Sequence, residues 1–205
     1  MTSLLIFLKH HCPWFWRAVE WVNGRLFALR YPAARRVAVE VLQECTNEVF
    51  LFSLVQTSDL PALSAFCTGQ PEGYLAHFDP HRFDVSTFGR LLKNPAFVLM
   101  KITNVSDGSL VGYFFLRGFC IGRAFHGLLV AEQYRNRGLG SAMWGASMQL
   151  CTRLGLRMFA TVSEQNAASL ASACRATETV VAERLANGYL LIACKPKLAD
   201  DEVDF

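Results

Sequence analysis

The sequence predicts an α+β (α/β) domain built on a mixed, mostly antiparallel twisted sheet of about seven strands flanked by helices. Three observations carry this. Short apolar runs rich in β-branched and aromatic residues recur along the chain. Between two of them stands Asp107-Gly108, a strong hairpin signal. Another run, Ala124 to Val130, passes through a glycine loop into a helical pattern and then a further run. The order is an antiparallel meander, a strand–helix–strand unit and a closing hairpin.

At 205 residues the chain suits one domain, and a domain of this size buries roughly 70% of the surface its unfolded form exposes. With 52% hydrophobic and 18% charged residues it is globular rather than disordered. The seven cysteines (Cys12, Cys45, Cys67, Cys120, Cys151, Cys174, Cys194) are odd in number and form no CxxC pair. Ser3 to Leu8 is too short an apolar run for a secretory leader, so a reduced, cytoplasmic protein is expected. No stretch approaches the ~20 apolar residues of a membrane-spanning helix. The net charge of +3 is concentrated in the first forty residues, where Lys9, Arg17, Arg25, Arg30, Arg35 and Arg36 face only Glu20 and Glu40. The remainder is close to neutral, which argues against a nucleic-acid groove.

Residues 1–45 read as an amphipathic helical extension. Pro13 suits a first helical turn, and Phe15, Ala18, Val19, Val22, Leu26 and Leu29 share one face. Trp14, Trp16 and Trp21 fall at the edges of that stripe and Arg17 on its back, as in a helix lying in a membrane interface. Docking on its own domain or on a twin subunit, giving a homodimer, is the other open reading.

Residues 46–197 read as the main domain. Phe50 to Gln56 is a short strand, and Asp59-Leu60-Pro61 starts a helix over Pro61 to Phe66. Residues 70–84 are a loop-rich insert without periodicity. Phe97 to Thr103 and Leu110 to Leu116 make a hairpin, followed by the strand Ala124 to Val130. Leu139, Ala142, Met143, Ala146, Leu150 and Leu154 then recur at helical spacing up to Gly155, a plausible cap. Arg157 to Val162 is a strand and Asn166 to Ala173 a helix, and two last strands fall within Val180 to Arg184 and Tyr189 to Cys194. Residues 198–205 form an acidic tail.

The chemistry concentrates in Arg135-Asn136-Arg137-Gly138-Leu139-Gly140-Ser141. Glycines let the backbone turn tightly, and the helix behind them offers unpaired amides to an anion. Arg135 and Arg137 add charge, so a pyrophosphate is the natural guest. A Walker loop would need Gly-Lys-Ser/Thr, which is missing. A dinucleotide fingerprint needs a third glycine where Met143 stands.

Arg135, Gly138 and Gly140 match the motif Q/R-x-x-G-x-G/A, and by it the chain resembles the GNAT acyltransferases. Val130, Tyr134 and the strand end Val162 to Asn166 extend the resemblance, which covers about residues 50 to 195. It implies acetyl-CoA as co-substrate and an amine as acceptor; the aromatic, basic N-terminal helix, which would keep the enzyme near membrane-bound precursors, favours a small molecule, an amino sugar for surface polysaccharide, over a protein amine. The sheet would be splayed between Ala124–Val130 and Arg157–Val162, with the pantetheine arm in the gap. The backbone of Leu128 and Val130 would pair with pantetheine, amides from Arg137 to Ser141 would hold the pyrophosphate, and Asn166 would touch the arm.

His126 shares a strand face with Leu128 and Val130 and is the first choice for a general base, with Glu164 the second. The family's usual acid, a tyrosine seven residues after the asparagine, is replaced by Ala173. Cys174, read mainly as a core residue, or water are the substitutes. Glu72, Tyr74 and Asp79, with His77 and His81, lie in the insert where the family binds its acceptor. No metal is required. The missing tyrosine also suggests a different class, a non-catalytic acyl-CoA-binding or scaffold protein. A lipid-binding N-terminal helix would put the enzyme on the inner face of the membrane.

Overall fold

The alternation of apolar side chains along the strands divides them between two faces of one sheet, and this sets the layers of the fold. The structure is a computed structural model and describes residues 13–71 and 73–197. Two helices come first, α1 (Pro13–Arg30) and α2 (Ala34–Cys45), followed by strand β1 (Phe50–Leu54) and helices α3 (Leu60–Thr68) and α4 (Val85–Leu92). Strands β2 (Phe97–Asn104), β3 (Leu110–Phe119) and β4 (Arg123–Val130) form the meander. Helix α5 (Leu139–Leu154), strand β5 (Arg157–Ser163), helix α6 (Ala167–Ala176), and strands β6 (Glu178–Arg184) and β7 (Tyr189–Lys195) complete the described fold. The strands form one sheet in the order β1-β2-β3-β4-β5-β7-β6, antiparallel except for β4 and β5. This is the expected mixed architecture.

Phe114 and Leu116 of β3 point to one face, where Met100, Ile102, Met158 and Ile192 pack with α2 and α5. Tyr113 and Phe115 point to the other, against Leu99, Leu129 and helices α3 and α4. Helix α5 ends as its sequence requires, on Gly155 in the left-handed conformation (φ 66°).

One helix was not foreseen, and two expectations are corrected. The insert of residues 70–84 leads into a helix, α4, that periodicity did not reveal; Asp84 caps it by accepting a hydrogen bond from the Thr87 amide at 2.8 Å. The boundary expected after residue 45 is not a boundary of packing. Ala34, Ala38, Val41 and Leu42 of α2 belong to the main core, so α2 is part of the domain. The acidic tail of residues 198–205 lies outside the described residues.

The second correction concerns α1. Its inward face carries Phe27, 2% exposed, and the expected stripe of Val19, Val22, Leu26 and Leu29 faces outward. Phe27 lies flush on Gly118, where an added Cβ would come 2.2 Å from its Cε2 atom. The Asn23 amide locks onto the same strand end, donating to the Gly118 carbonyl (3.0 Å) and accepting from the Cys120 amide (3.1 Å). Arg30 donates to the Cys120 carbonyl at 2.9 Å, and Arg117 pairs with Glu20 at 3.0 Å. The helix therefore docks on its own domain by a face other than its most apolar one. Phe15, Trp14 and Trp16 lie where side chains are not described. Among the described residues, no helix is long and apolar enough to cross a membrane.

Candidate active site

Strands β4 and β5 run parallel for only three pairs, Arg123–Phe125 against Arg157–Phe159. Beyond Phe159, β5 continues along β7 up to Ser163, while β4 continues along β3 up to Val130. The sheet is therefore splayed. The Ala131 amide donates to the Val111 carbonyl at 2.8 Å, which makes Gly112 and Val130 the non-hydrogen-bonded kind of antiparallel pair. The N–H and C=O of Val130 must then point away from β3 into the gap, and by alternation so do those of Leu128. The gap opens into a cleft of about 560 Å³.

At its outer end lies the glycine loop. Asn136 (φ 58°) and Gly138 (φ 81°) are left-handed, a conformation glycine adopts freely and asparagine tolerates, so the chain turns sharply into α5. The first α5 amides, Leu139 to Ser141, precede the first intrahelical bond, from the Ala142 amide to the Gly138 carbonyl, and lie at the positive end of the helix. Gly140 packs against Ser172 of α6, 3.4 Å from where its Cβ would be. Arg135, Asn136, Gly138, Leu139, Gly140 and Ser141 all line the cleft. Arg137 lies over the Tyr134 ring, 5.0 Å from its centroid, and is not part of the lining.

Leu128, Val130 and Asn166 line the same cleft. Asn166 caps α6 by accepting from the Ser169 amide at 3.1 Å, a role that leaves its Nδ2 donor free for a guest. Tyr74, placed by sequence with the acceptor, instead reaches across to the donor strand. Its hydroxyl donates to the Val130 carbonyl at 2.7 Å, and Arg135 stacks on its ring at 5.4 Å.

His126 lines the inner part of the cleft and is 5% exposed. Its ring packs on Trp144 at 4.2 Å between centroids, and neither ring nitrogen has a hydrogen-bond partner. Burial pushes its pKa down to about 3, against a smaller opposing influence of the Phe115 backbone. An imidazole held so firmly neutral is a weak base at neutral pH, which undercuts the general-base role expected for it. Ser141 Oγ and Trp144 Nε1 are likewise buried without partners in this cleft. Buried polar atoms without protein partners are costly to leave unpaired, and a polar guest or water in the cleft would satisfy them.

The remaining candidates are not brought together here. Glu164 pairs with Arg184 outside the cleft lining, which removes it from the reacting centre. Asp79 is exposed away from the cleft, and Glu72 lies outside the described residues. His81 is engaged elsewhere. Its Nδ1–H donates to the Arg82 carbonyl (2.9 Å), so its Nε2 accepts from the Tyr113 hydroxyl (3.0 Å), which separates it from His77 on the cleft wall. Cys174 is exposed rather than in the core, and Ala173 is fully buried. Trp144, Thr161, Ser172 and Arg175 also line the cleft. Sequence gave no signal for Trp144, since an aromatic residue on a helix reads as core.

The sequence matches the Acetyltransferase (GNAT) family over residues 63–173, just over half of the chain. A search among curated proteins finds no match. Among solved structures, the chain is similar to a ribosomal-protein-S5-alanine acetyltransferase from Vibrio fischeri, with 15% identity and a TM-score of 0.56 over 76% of this chain and 96% of that one. It is also similar to a spermidine N-acetyltransferase from Vibrio cholerae in complex with CoA and spermine (13% identity, TM-score 0.58, 72% of this chain and 95% of that one). A third likeness is to AAC(6')-Ib in complex with paromomycin and acetyl-CoA (15% identity, TM-score 0.58, 73% and 94%). These likenesses are of fold. With a splayed parallel pair, a glycine loop opening a helix between its strands and the family match over the same segment, the chain belongs to the GNAT acetyltransferase family.

Proposed function

We propose that this protein transfers an acetyl group from acetyl-CoA to an amine of a small molecule. The observation that carries this reading is the splay between β4 and β5, with the backbone of Leu128 and Val130 aimed into it and the glycine loop at its outer end. Pantetheine would lie in the gap as a substitute strand. The pyrophosphate would rest on the amides of Gly138 to Ser141, with Arg135 and the exposed Arg175 as cationic partners. No metal takes part in this scheme.

The amine nitrogen attacks the thioester carbonyl, negative charge gathers on its oxygen, and the carbon–sulfur bond breaks as the thiolate takes a proton. The amine loses its own proton to solvent in the open cleft. His126 fits the oxygen better than it fits the amine. A neutral imidazole keeps one N–H to donate, and donors aimed at a developing oxyanion contribute more in a dry site than in water. His77 and Phe78 also line the cleft, and aromatic rings suit the apolar face of a sugar, which favours an amino sugar over an extended peptide.

The test is turnover. Purified protein incubated with acetyl-CoA and a panel of amines, amino sugars included, should release free CoA thiol and form an acetylated product identified by mass. Tight binding of acetyl-CoA without thiol release from any amine would replace this reading by that of a non-catalytic acyl-CoA-binding protein.

A further inference from the structure

Among the described residues, the outer face of α1 has no counterpart in the domain, although it holds that helix's most continuous apolar stripe. Val19, Val22, Leu26 and Leu29 are exposed there, Leu29 by 80%, with Trp21 beside them. The stripe does not stop at the helix. Across a groove of about 490 Å³ it meets Phe119 and Ile121 at the β3–β4 turn, where Ile121 is 62% exposed, so helix and turn make one apolar surface. A contiguous exposed apolar surface marks a contact with something.

The charges around it identify what. Arg25 stacks on Trp21, and Arg30 stacks on Tyr31 while donating to the Cys120 carbonyl; among the described residues neither pairs with an acid. Arg123 begins β4 just after the turn, and the Arg157 amide bonds the Gly122 carbonyl, which puts two more guanidinium groups at this end of the sheet. Among the described residues, the one acidic side chain lining the groove, Glu20, is ion-paired with Arg117. A second copy would meet this surface with the same surface and bring like charges together. We propose that the outer face of α1 and the β3–β4 turn bind the surface of an anionic lipid bilayer.

Strand β4 then sets the orientation. It runs from the turn at Arg123 to Val130, roughly 23 Å at the rise of an extended strand, and the glycine loop lies beyond its far end. At physiological salt that is more than two screening lengths, about 8 Å each, so a polyanionic ligand in the loop would not feel the lipid charge. The end of the cleft near His126 would be the end closer to the bilayer. This orientation suits an acceptor carried at the membrane, and that part rests on the acyl-transfer reading above.

The full chain is mixed with phosphatidylcholine vesicles with and without phosphatidylglycerol, and the bound fraction is measured by sedimentation over a range of salt. Binding should require the anionic lipid and weaken as salt rises. Val22→Asp with Leu26→Asp should abolish it, and Arg25→Gln and Arg30→Gln should each weaken it about fivefold. Thermal unfolding of each variant, unchanged for exposed positions, verifies folding, and turnover with a soluble amine should stay as in the parent chain. Absence of binding at low salt would overturn the proposal, as would binding insensitive to these substitutions. A dimer in solution that Leu26→Asp dissociates would overturn it in favour of a second copy. Turnover is read separately, so loss of vesicle binding alone leaves the acetyl-transfer reading standing, and loss of turnover alone leaves the membrane surface standing.

Discussion

His126 is the residue on which the chemistry of the cleft can be judged. If it donates a hydrogen bond from a neutral ring, His126→Gln should keep turnover within about tenfold, whereas His126→Ala should lose on the order of 10²-fold in kcat. The measurement is kcat against pH. A limb near the ordinary imidazole range, present in the parent and absent from His126→Gln, would restore the base assignment. Burial has a second consequence. The unfolded chain protonates this imidazole near its usual value of about 6.5, but the folded chain resists until pH about 3. Between those values the unfolded state holds more protons, so stability falls as pH falls, by up to about 1.4 kcal/mol per pH unit from this residue. Urea unfolding at neutral and at mildly acid pH should show that part of the slope disappear in His126→Gln. The roles expected for Leu128, Val130, Gly138 and Asn166 came from the family resemblance. The strand that carries the first two, the turn at Gly138 and the helix start at Asn166 were legible in the sequence, because apolar runs, glycine turns and helix caps leave local signals. Glu164 was not, since its partner Arg184 arrives from another strand twenty residues later.

Among the elements, α1 shows how a helix can be foreseen and its contact face misjudged. Its stripe was visible, but docking is decided by Gly118, a strand residue ninety positions away whose missing side chain admits the Phe27 ring. Gly118→Ala would place a Cβ within 2.2 Å of that ring and should release the helix. Phe27→Ala should cost about 3–5 kcal/mol, measured as a lower urea midpoint. In both variants acetyl-CoA affinity should persist, because α1 packs at the end of β4 opposite the glycine loop. Helix α4 was missed for a related reason. It has eight residues, too few for periodicity to establish itself, and its clearest mark is the Asp84 cap rather than its apolar positions. The strands of the meander were legible because each combines β-branched and aromatic residues with a turn signal at its end.

Over the whole molecule, the splay makes the sheet two halves joined by the short β4–β5 pairing and by the helices packed across it. A guest that pairs with β4 and also touches α6 fastens those halves together. CoA at a hundredfold excess over its Kd should add about 2.7 kcal/mol of stability, or about 5–10 °C in Tm. Gly138→Val should erase the shift, because valine does not tolerate a φ of 81°. The meander, the crossover helix and the closing hairpin followed from sequence, since a glycine loop after a strand fixes where that helix begins; that β7 rather than β6 pairs with β5 did not. What covers the gap did not follow, because the insert of residues 70–84 has no repeating pattern. There Tyr74 hydrogen-bonds to the Val130 carbonyl, one of the backbone groups that point into the gap. If pantetheine pairs with that carbonyl, the hydroxyl is a tethered competitor that it must displace. Tyr74→Phe should therefore speed CoA association and tighten it several-fold in stopped-flow measurements, corresponding to one hydrogen bond of about 1 kcal/mol. The rate at which the donor loads would then be set by a side chain that takes no part in the transfer.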